Sequence, residues 1–315
     1  MKIKVLKFGG TSVGDINAIK RSADIISDWS KNSKIIVVLS AMSGETDRLI
    51  KLTKSLSKSP NPTDFDKVVS TGENVSSSLM SICLNNLKIK TKSLLSWQIP
   101  IMTSSEHMKS RILSIDKNYL IKELNNFDVL IVPGFQGINR SGDITTLGRG
   151  GSDTSAVAFA ASVNAECIIY TDVEGVFTTD PNLVPNAKKI NKISYEEMLE
   201  LASQGAKVLQ TRSVELAMRK KTKLSVRSSI NPKKSGTIIT EEKSVLEKNT
   251  VSGIAYTKDE AKITLSRVLD KPGVSSKIFG PLAKGNINVD MILQNISQDG
   301  KYANLSFTLP RSDLE

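Results

Sequence analysis

The sequence predicts an α/β protein in which a mostly parallel sheet is sandwiched between helices, followed by a small α+β module. Apolar runs such as KIIVVL (34–39) and DVLIV (128–132) alternate with amphipathic stretches, which is typical of a parallel sheet covered on both faces. Glycine-rich or polar clusters follow these runs, and the carboxyl ends of strands are where such sheets bind ligands. The pattern changes after a polar segment at 231–250 that contains a proline and a glycine.

The elements of the large part follow in chain order. Asp15 is placed to N-cap a helix whose apolar stripe includes Ile19 and Ile26. The PNPT break at 60–63 precedes a longer helix that runs to about residue 87. The other predicted elements are strands at 2–6, 34–39, 128–132 and 167–170, a helix at 45–56 and an alanine-rich helix at 152–164.

The small module shows a βαββ pattern. Its predicted elements are strands at 251–256, 263–268, 287–293 and 303–309 and a helix at 273–284. We therefore divide the chain into a large domain at 1–235, a linker at 236–250 and a module at 251–315.

Composition and charge exclude several classes of function. The net charge of +11 suggests a polyanionic partner, but the two tryptophans, five tyrosines and eight phenylalanines form no base-stacking cluster, so we predict no nucleic-acid partner. No apolar run approaches the length of a membrane span, and the N-terminus lacks the apolar core of a signal peptide. Cys83 and Cys167 lie in apolar segments without metal-like spacing, which favours a reducing cytoplasm. We predict no membrane partner and no metal site made of protein ligands.

A single histidine, His107, is present in the chain. A mechanism based on a histidine-containing triad or a histidine-rich metal site would therefore depend on this residue alone. His107 lies in the polar stretch SSEHMKS, and we interpret it as a surface residue.

Four strand ends carry the candidate chemistry. KFGGTS (7–12) places a lysine before two glycines, unlike the Walker pattern, in which the lysine follows them. In LGRGGSD (147–153), two glycines precede a helix that Ser152 or Asp153 can cap, and Arg149 lies beside free N–H groups that suit an anion. A well-capped helix without a ligand is the alternative. The other two clusters are SAMSGET (40–46) and TDVEGVF (171–177).

Six motifs, in this order and spacing, resemble those of aspartokinases, which have the amino-acid kinase fold: KFGGTS, VVLSAMSGETD, STGE, LGRGGSDTSA, TDVEGVFTTDP and GAKVL. The stretch LDKPGVSSKIFGPLAKGNINVDMI is similar to an ACT domain, so the resemblance covers essentially the whole chain. It implies that 1–235 is the catalytic domain and 251–315 an ACT-like regulatory module. It also implies a cytoplasmic enzyme and a homodimer formed through that module.

The implied reaction transfers a phosphoryl group from ATP to the side-chain carboxylate of L-aspartate. The product is 4-phospho-L-aspartate, on the route to lysine and diaminopimelate, threonine and methionine. Mg²⁺ is implied as an ion that bridges phosphate oxygens. The residues agree with this chemistry: a carboxylate is already ionised at neutral pH, so the enzyme mainly has to bring two anions together and neutralise charge.

The resemblance also implies residue roles. Lys7 contacts the transferring phosphates, and Asp153 orients it. Arg149 binds the substrate α-carboxylate and Glu73 its ammonium group. The catalytic set is Lys7, Asp153 and Arg149. The substrate set is Ser40, Thr46, Glu73, Arg149, Gly150, Gly151 and Ser152. The ATP set is Lys7, Phe8, Gly9, Gly10, Thr171, Asp172, Phe177, Asn182 and Lys207, with Gly9 and Gly10 as backbone donors.

Three positions depart from the family pattern. Phe177 stands where tyrosine is frequent, Asn182 where arginine is common, and Gln210-Thr211 where histidine-proline is frequent. These departures concern the nucleotide site rather than the class of reaction. The alternatives are a sister amino-acid kinase that acts on another carboxylate, and a non-catalytic amino-acid sensor that retains the ACT-like module.

The ACT-like module is expected to be incomplete. Ser312 and Glu315 have capping-box spacing without a following helix, and the module supplies one helix where an ACT unit needs two. We expect an apolar patch to be exposed, or buried against a second copy, unless swapped partner segments complete the module. Inhibition by lysine or threonine is then expected to be weak or absent. The patch is predicted around Ile263, Leu265, Ile292 and Phe307.

Overall fold

The computed structural model describes residues 2–148, 150–206, 208–241, 253–257, 259–285, 287–297 and 300–314. The chain forms two compact units that meet in sequence between Ala255 and Tyr256.

The large unit contains an eight-stranded sheet and a four-stranded sheet. The larger sheet has the order β10-β12-β11-β9-β1-β2-β6-β3, and every neighbouring pair except β11–β12 is parallel. The smaller sheet has the order β5-β4-β7-β8. This confirms the predicted α/β class. The strands are β1 (Ile3–Phe8), β2 (Lys34–Leu39), β3 (Thr91–Ser93), β4 (Ile101–Thr103), β5 (Ile112–Ile115), β6 (Val129–Pro133), β7 (Gln136–Ile138), β8 (Ile144–Thr146), β9 (Glu166–Thr171), β10 (Lys192–Ser194), β11 (Leu224–Ser228) and β12 (Thr237–Thr240).

Alternating side chains of the central strands build a core on each face of this sheet. In β2, Ile36 and Val38 point into one core, whereas Ile35 and Val37 point into the other. Because both faces are covered, β2 and β6 are apolar along nearly their whole length rather than at every second residue. The helices of this unit are α1 (Ile16–Ser30), α2 (Glu45–Leu56), α3 (Pro62–Val69), α4 (Thr71–Asn86), α5 (Lys117–Asn126), α6 (Gly151–Val163), α7 (Tyr195–Ser203) and α8 (Thr211–Lys220).

Two features of the helices bear on the predictions. Asp15 caps α1 as expected, since its side chain accepts a hydrogen bond from the Ala18 N–H. The long helix predicted after residue 63 is instead two helices, α3 and α4, joined at Ser70. The Gln136 side chain donates to the Ser70 carbonyl at 2.8 Å, and the Ser70 hydroxyl bonds back to Lys67 O. These bonds compete with the helical ladder and allow the chain to change direction.

The predicted linker at 236–250 also needs a correction. Thr237–Thr240 forms β12 and pairs with β10 and β11 in the large sheet. The reason is burial: Thr237 and Ile239 are fully buried, so this segment completes the core of the large unit. Residues 242–252, which make up the rest of the predicted linker and the first two residues of the predicted strand at 251–256, lie outside the described residues.

The small unit is a three-stranded antiparallel sheet with one helix, in the predicted βαββ order. Its described elements are β13 (Glu260–Leu269), α9 (Val274–Lys284), β14 (Ile292–Ile296) and β15 (Tyr302–Pro310), and the sheet order is β13-β15-β14.

Two predicted strands of the small module are wrong. Residues 253–256 form no strand, because Ile254 makes one backbone bond, to Thr178 O, without a ladder. The strand predicted at 287–293 begins instead at Ile292, because the Thr308 hydroxyl takes the Met291 N–H and shifts the start of the ladder.

The predicted apolar patch is only partly exposed. Phe307 is buried and packs edge-on against Phe279 of α9, so its inclusion in the patch was wrong. Ile263 and Leu265 are half-buried, whereas Ile292 is 51% exposed. The exposed apolar surface thus lies along the edge strand β14. A short 3-10 turn, Arg311–Asp313, follows β15. The predicted capping box depends on Ser312, whose side chain is not described, and on Glu315, which lies outside the described residues.

Candidate active site

An ion pair between Lys7 and Asp153 stands at the centre of the large sheet. Lys7 is on β1 and Asp153 in the first turn of α6, with 2.6 Å between Nζ and Oδ1 and side-chain exposures of 11% and 9%. Gly134, after β6, allows α6 to come this close, because a Cβ there would lie 2.7 Å from the Ser152 Cβ. The structure therefore brings together two residues that are 146 positions apart in the sequence.

The glycine turn after β1 packs against its neighbours. The Gly9 N–H donates to the Tyr170 carbonyl at 3.3 Å, so the prediction that Gly9 offers this donor to a ligand is wrong. The reason is that β9 runs parallel beside β1, with Phe8 in register with Tyr170. A Cβ on Gly10 would lie 3.1 Å from Ala41 O, which explains the need for glycine at this close approach.

No side chain caps the start of α6. Its N-cap is Gly150, at φ 67°. The alternative that Ser152 or Asp153 caps it is therefore wrong, because both lie inside the helix and the Asp153 carboxylate is paired with Lys7. The N–H groups of Gly151 and Asp153 donate to Gly148 O and Gly150 O, so it is chiefly the helix dipole that favours a negatively charged ligand here. Arg149, which directly precedes this turn, lies outside the described residues.

Glu73 is a buried acid with one unsatisfied oxygen. Its Oε1 accepts the Ala41 N–H at 3.0 Å, whereas its Oε2 has no hydrogen-bond partner among the described residues. Only 3% of the residue is exposed, and this burial raises the pKa of the carboxyl from 4.5 to about 8 against the smaller lowering effect of the Ala41 N–H. A buried carboxylate oxygen without a donor is costly, and a cationic ligand would satisfy it.

Ser40 lies directly after β2, next to Ala41, whose N–H bonds to Glu73, and Thr46 follows at the start of α2. The Ser40 backbone is fixed by bonds from its N–H to Phe8 O and from the Ser76 hydroxyl to its carbonyl. Thr46 is in the first turn of α2, which begins after Gly44 at φ 77° and, like α6, has no side-chain cap. The structure thus brings Glu73 against the loop from β2 to α2, which Ser40 begins and Thr46 follows.

The predicted nucleotide residues divide into two groups. Thr171 and Asp172 lie at the end of β9, next to β1, and the Thr171 hydroxyl donates to Asp172 Oδ1 at 2.9 Å. Phe177 lies farther along the chain and forms an isolated β-bridge with Lys189. Asn182 is exposed, and its backbone N–H donates to Asp180 Oδ1. Lys207 lies outside the described residues.

Comparison with known proteins identifies the family to which this chain belongs. The amino acid kinase family model matches residues 2–228, and the ACT domain model matches residues 263–315. An aspartate kinase of Pseudomonas putida is 47% identical over 318 residues, which cover 100% of this chain and 77% of that protein. The chain belongs to the amino acid kinase family, among the aspartokinases. An aspartokinase of Helicobacter pylori is 46% identical over 99% of the chain and 78% of its own length.

A solved aspartokinase has the same fold. Escherichia coli aspartokinase III, in complex with aspartate and ADP, matches 98% of this chain and 79% of its own, with a TM-score of 0.76 and 27% identity. The aspartokinase resemblance seen in the six motifs is therefore confirmed at the level of family and fold.

The structure of this aspartokinase-family chain also reveals polar residues that sequence reasoning missed. Asp66 is fully buried and holds His107 at 2.8 Å, so the interpretation of His107 as a surface residue was wrong; it is half-buried. Arg212 donates to two backbone carbonyls near the α6 turn. Asp66 had one signal, an acid between apolar residues of a helix (FDKVV), whereas Arg212 stood only in a basic stretch.

No helix in the described part of the chain is both long and apolar enough to cross a membrane.

Proposed function

We propose that this chain transfers the γ-phosphoryl group of ATP to the side-chain carboxylate of L-aspartate. The observation that carries the proposal is the buried Glu73 carboxylate, with Oε2 unsatisfied. An α-ammonium group provides the charge and the N–H donors that this oxygen lacks. Substrates without a free ammonium group, such as a carbamate, would leave this oxygen unsatisfied.

Charge neutralisation is the main task of the remaining residues. The phosphoryl acceptor is a carboxylate that is already ionised at neutral pH, so the chain needs no general base. The Lys7 ammonium lies at the strand end, where it would offset negative charge on the transferring group. Asp153 holds Lys7 from one side, and the uncapped first turn of α6 would receive the substrate α-carboxylate together with Arg149.

Mg²⁺ would bind chiefly through the nucleotide. No group of three or more histidine, cysteine, aspartate or glutamate side chains is placed to hold a metal ion within the described ranges. This fits a cation whose ligands are mostly phosphate oxygens and water. When bound, it would neutralise phosphate charge beside Lys7.

Release of ADP in the presence of ATP and Mg²⁺ tests the proposal. L-Aspartate should support turnover, whereas succinate and N-acetyl-L-aspartate, which keep a carboxylate but lack the ammonium group, should support little. Equal turnover with succinate would contradict the role of Glu73. Turnover with L-glutamate alone would instead point to a sister kinase, and aspartate binding without turnover would point to a sensor.

We also infer a homodimer formed through the small unit. Its edge strand β14 exposes Ile292, Leu293 and Ile296 by 51%, 47% and 60%, and an apolar edge strand favours pairing with another chain. Sedimentation of the full chain should give a dimer that Ile296→Lys weakens. The matched control is Leu113→Lys, at a residue of the large unit with 59% exposure. A monomeric wild-type chain at micromolar concentration would contradict the inference.

A further inference from the structure

A buried carboxylate, Asp66, holds the end of β8 just before Gly148 and Gly150, which lead into α6. Its Oδ1 accepts the Thr146 hydroxyl at 2.6 Å, and its Oδ2 accepts the Thr146 N–H at 3.0 Å. The same Oδ2 accepts the Met108 N–H at 3.0 Å and lies 2.8 Å from His107 Nδ1. Asp66 is on α3, so this one side chain joins α3, the loop around residue 107 and the end of β8.

Arg212, at the start of α8, holds the same segment from the other side. Its Nη1 donates to Leu147 O at 2.8 Å, and its Nη2 donates to Ser110 O at 2.7 Å. Burial lowers the pKa of the Arg212 guanidinium, with a smaller contribution from Arg111. The two carbonyls replace part of the hydration that the guanidinium loses, and their spacing suits its planar fork.

Ser110 closes the network. Its N–H and its hydroxyl both donate to Thr146 O, at 3.0 and 2.8 Å. The bonds therefore run from Asp66 to Thr146, on to Ser110 and Arg212, and back to Leu147. We call these five residues the clamp. The clamp therefore holds the two peptide units that directly precede Gly148.

The clamp acts on the site through close packing. A Cβ on Gly151 would lie 2.9 Å from the Leu147 Cβ, so a shift of Leu147 reaches the first residue of α6 directly. The third residue of that helix is Asp153, the partner of Lys7. Gly148 and Gly150 lead from Leu147 into the first turn of α6, the turn to which we assigned the substrate α-carboxylate.

We propose that Asp66 and Arg212 are positioning residues that fix this turn for the α-carboxylate of the amino-acid substrate. The proposal rests on the function proposed above. Burying the Asp66 carboxylate and half-burying the Arg212 guanidinium costs desolvation free energy, and apolar side chains could hold a loop without this cost. Their directional bonds to specific backbone groups fix geometry to a fraction of an ångström, which a substrate-binding turn requires.

Steady-state kinetics test the proposal. Each clamp variant is compared with a control variant on the same helix. Arg212→Met and Asp66→Asn should raise the KM for aspartate at least tenfold and leave the KM for ATP within twofold. Arg212→Lys keeps a charge and one donor direction, and should recover part of the loss. The controls are Arg219→Met on α8 and Asp64→Asn on α3, both exposed ion-pair members, which should match wild type. A merely structural role would lower Tm and the active fraction without moving either KM, and that result would overturn the proposal.

Amide hydrogen exchange without substrate separates this proposal from the proposed function. The N–H groups of Thr146, Leu147 and Gly151 are bonded, and their exchange should quicken at least tenfold in Arg212→Lys and Asp66→Asn while β1 amides stay protected. Unchanged exchange would overturn the clamp even in an active aspartate kinase. Quicker exchange in a chain that does not phosphorylate aspartate would support the loop-holding role and contradict only the substrate.

Discussion

Replacing Glu73 with glutamine should weaken aspartate binding and stabilise the fold at the same time. The glutamine amide would still accept the Ala41 N–H, but it would present an NH₂ group in place of the unsatisfied Oε2. A substrate ammonium would then lose a charge-assisted hydrogen bond worth about 1.5–3 kcal/mol. The KM for aspartate should rise by about ten- to a hundredfold, since about 1.4 kcal/mol corresponds to a factor of ten. The KM for ATP should not change.

The pH dependence of the wild type follows from the same residue. With a pKa of about 8, roughly one Glu73 in ten is ionised at pH 7 in the empty site, and about three quarters at pH 8.5. Only the ionised form pairs with an ammonium group. The apparent KM for aspartate should therefore fall roughly eightfold between these pH values, and binding at pH 7 should release close to one proton. Calorimetry in buffers of different ionisation enthalpy measures this release.

The stability effect has the opposite sign. The folded-state pKa of Glu73 is raised from 4.5 to about 8, so the folded chain binds more protons than the unfolded chain between these values. The free energy of unfolding therefore decreases as the pH rises through this window. At pH 7 the penalty is on the order of 3 kcal/mol, which Glu73→Gln should relieve as a higher Tm. The account would be refuted if aspartate binding to the wild type released no proton and if its KM for aspartate did not depend on pH.

Three further substitutions probe the catalytic centre. Lys7→Met should lower kcat by about a hundredfold or more with little change in aspartate affinity, because it removes transition-state charge stabilisation; a normal kcat with a raised KM would contradict that role. Asp153→Asn should lower kcat less than Lys7→Met, since Lys7 keeps its charge and loses only its partner at 2.6 Å; an unchanged kcat in steady-state assays would show that Lys7 needs no restraint. Gly150→Ala should lower stability by about 1–3 kcal/mol, because Gly150 has φ 67° and a Cβ there would lie 1.8 Å from the Gln210 Cγ. Gln210→Ala in the same chain should recover part of that loss in thermal unfolding, and no recovery would mean that the backbone angle dominates.

The sequence was sufficient to predict four adjacent strands of the large sheet, β9, β1, β2 and β6, for a physical reason. Parallel strands leave their carboxyl ends at one edge of the sheet, so Lys7 and Ser40 were expected at the same edge. The pairing of β1 with β2 in the structure makes them neighbours. The clamp could not be predicted in this way. Asp66 and Arg212 bind backbone groups of Thr146, Ser110 and Leu147. Every residue has a backbone carbonyl, so the sequence does not show which carbonyl will accept such a bond.

Donors and caps were mispredicted for a related reason. Gly9 and the first turn of α6 look alike in sequence, as glycines before a helix. The N–H of Gly9 is taken by Tyr170 O of the neighbouring strand, whereas that of Gly151 is taken by Gly148 O within its own turn. Only the position of the neighbouring strand distinguishes them. The shifted start of β14 has the same origin, because the Thr308 hydroxyl on the partner strand takes one backbone N–H.

The place of β1 in the sheet has a consequence for synthesis on the ribosome. β1 lies between β2 and β9, and Lys4 of β1 pairs with Glu166, 162 positions later. At about 5–20 residues per second, the nascent chain waits on the order of ten to thirty seconds before β9 emerges. During that interval one side of β1 has no strand to pair with, although its neighbour β2 is already available. β1 is thus made well before it is enclosed, and its open edge can be bound in the meantime by a chaperone or by another nascent chain.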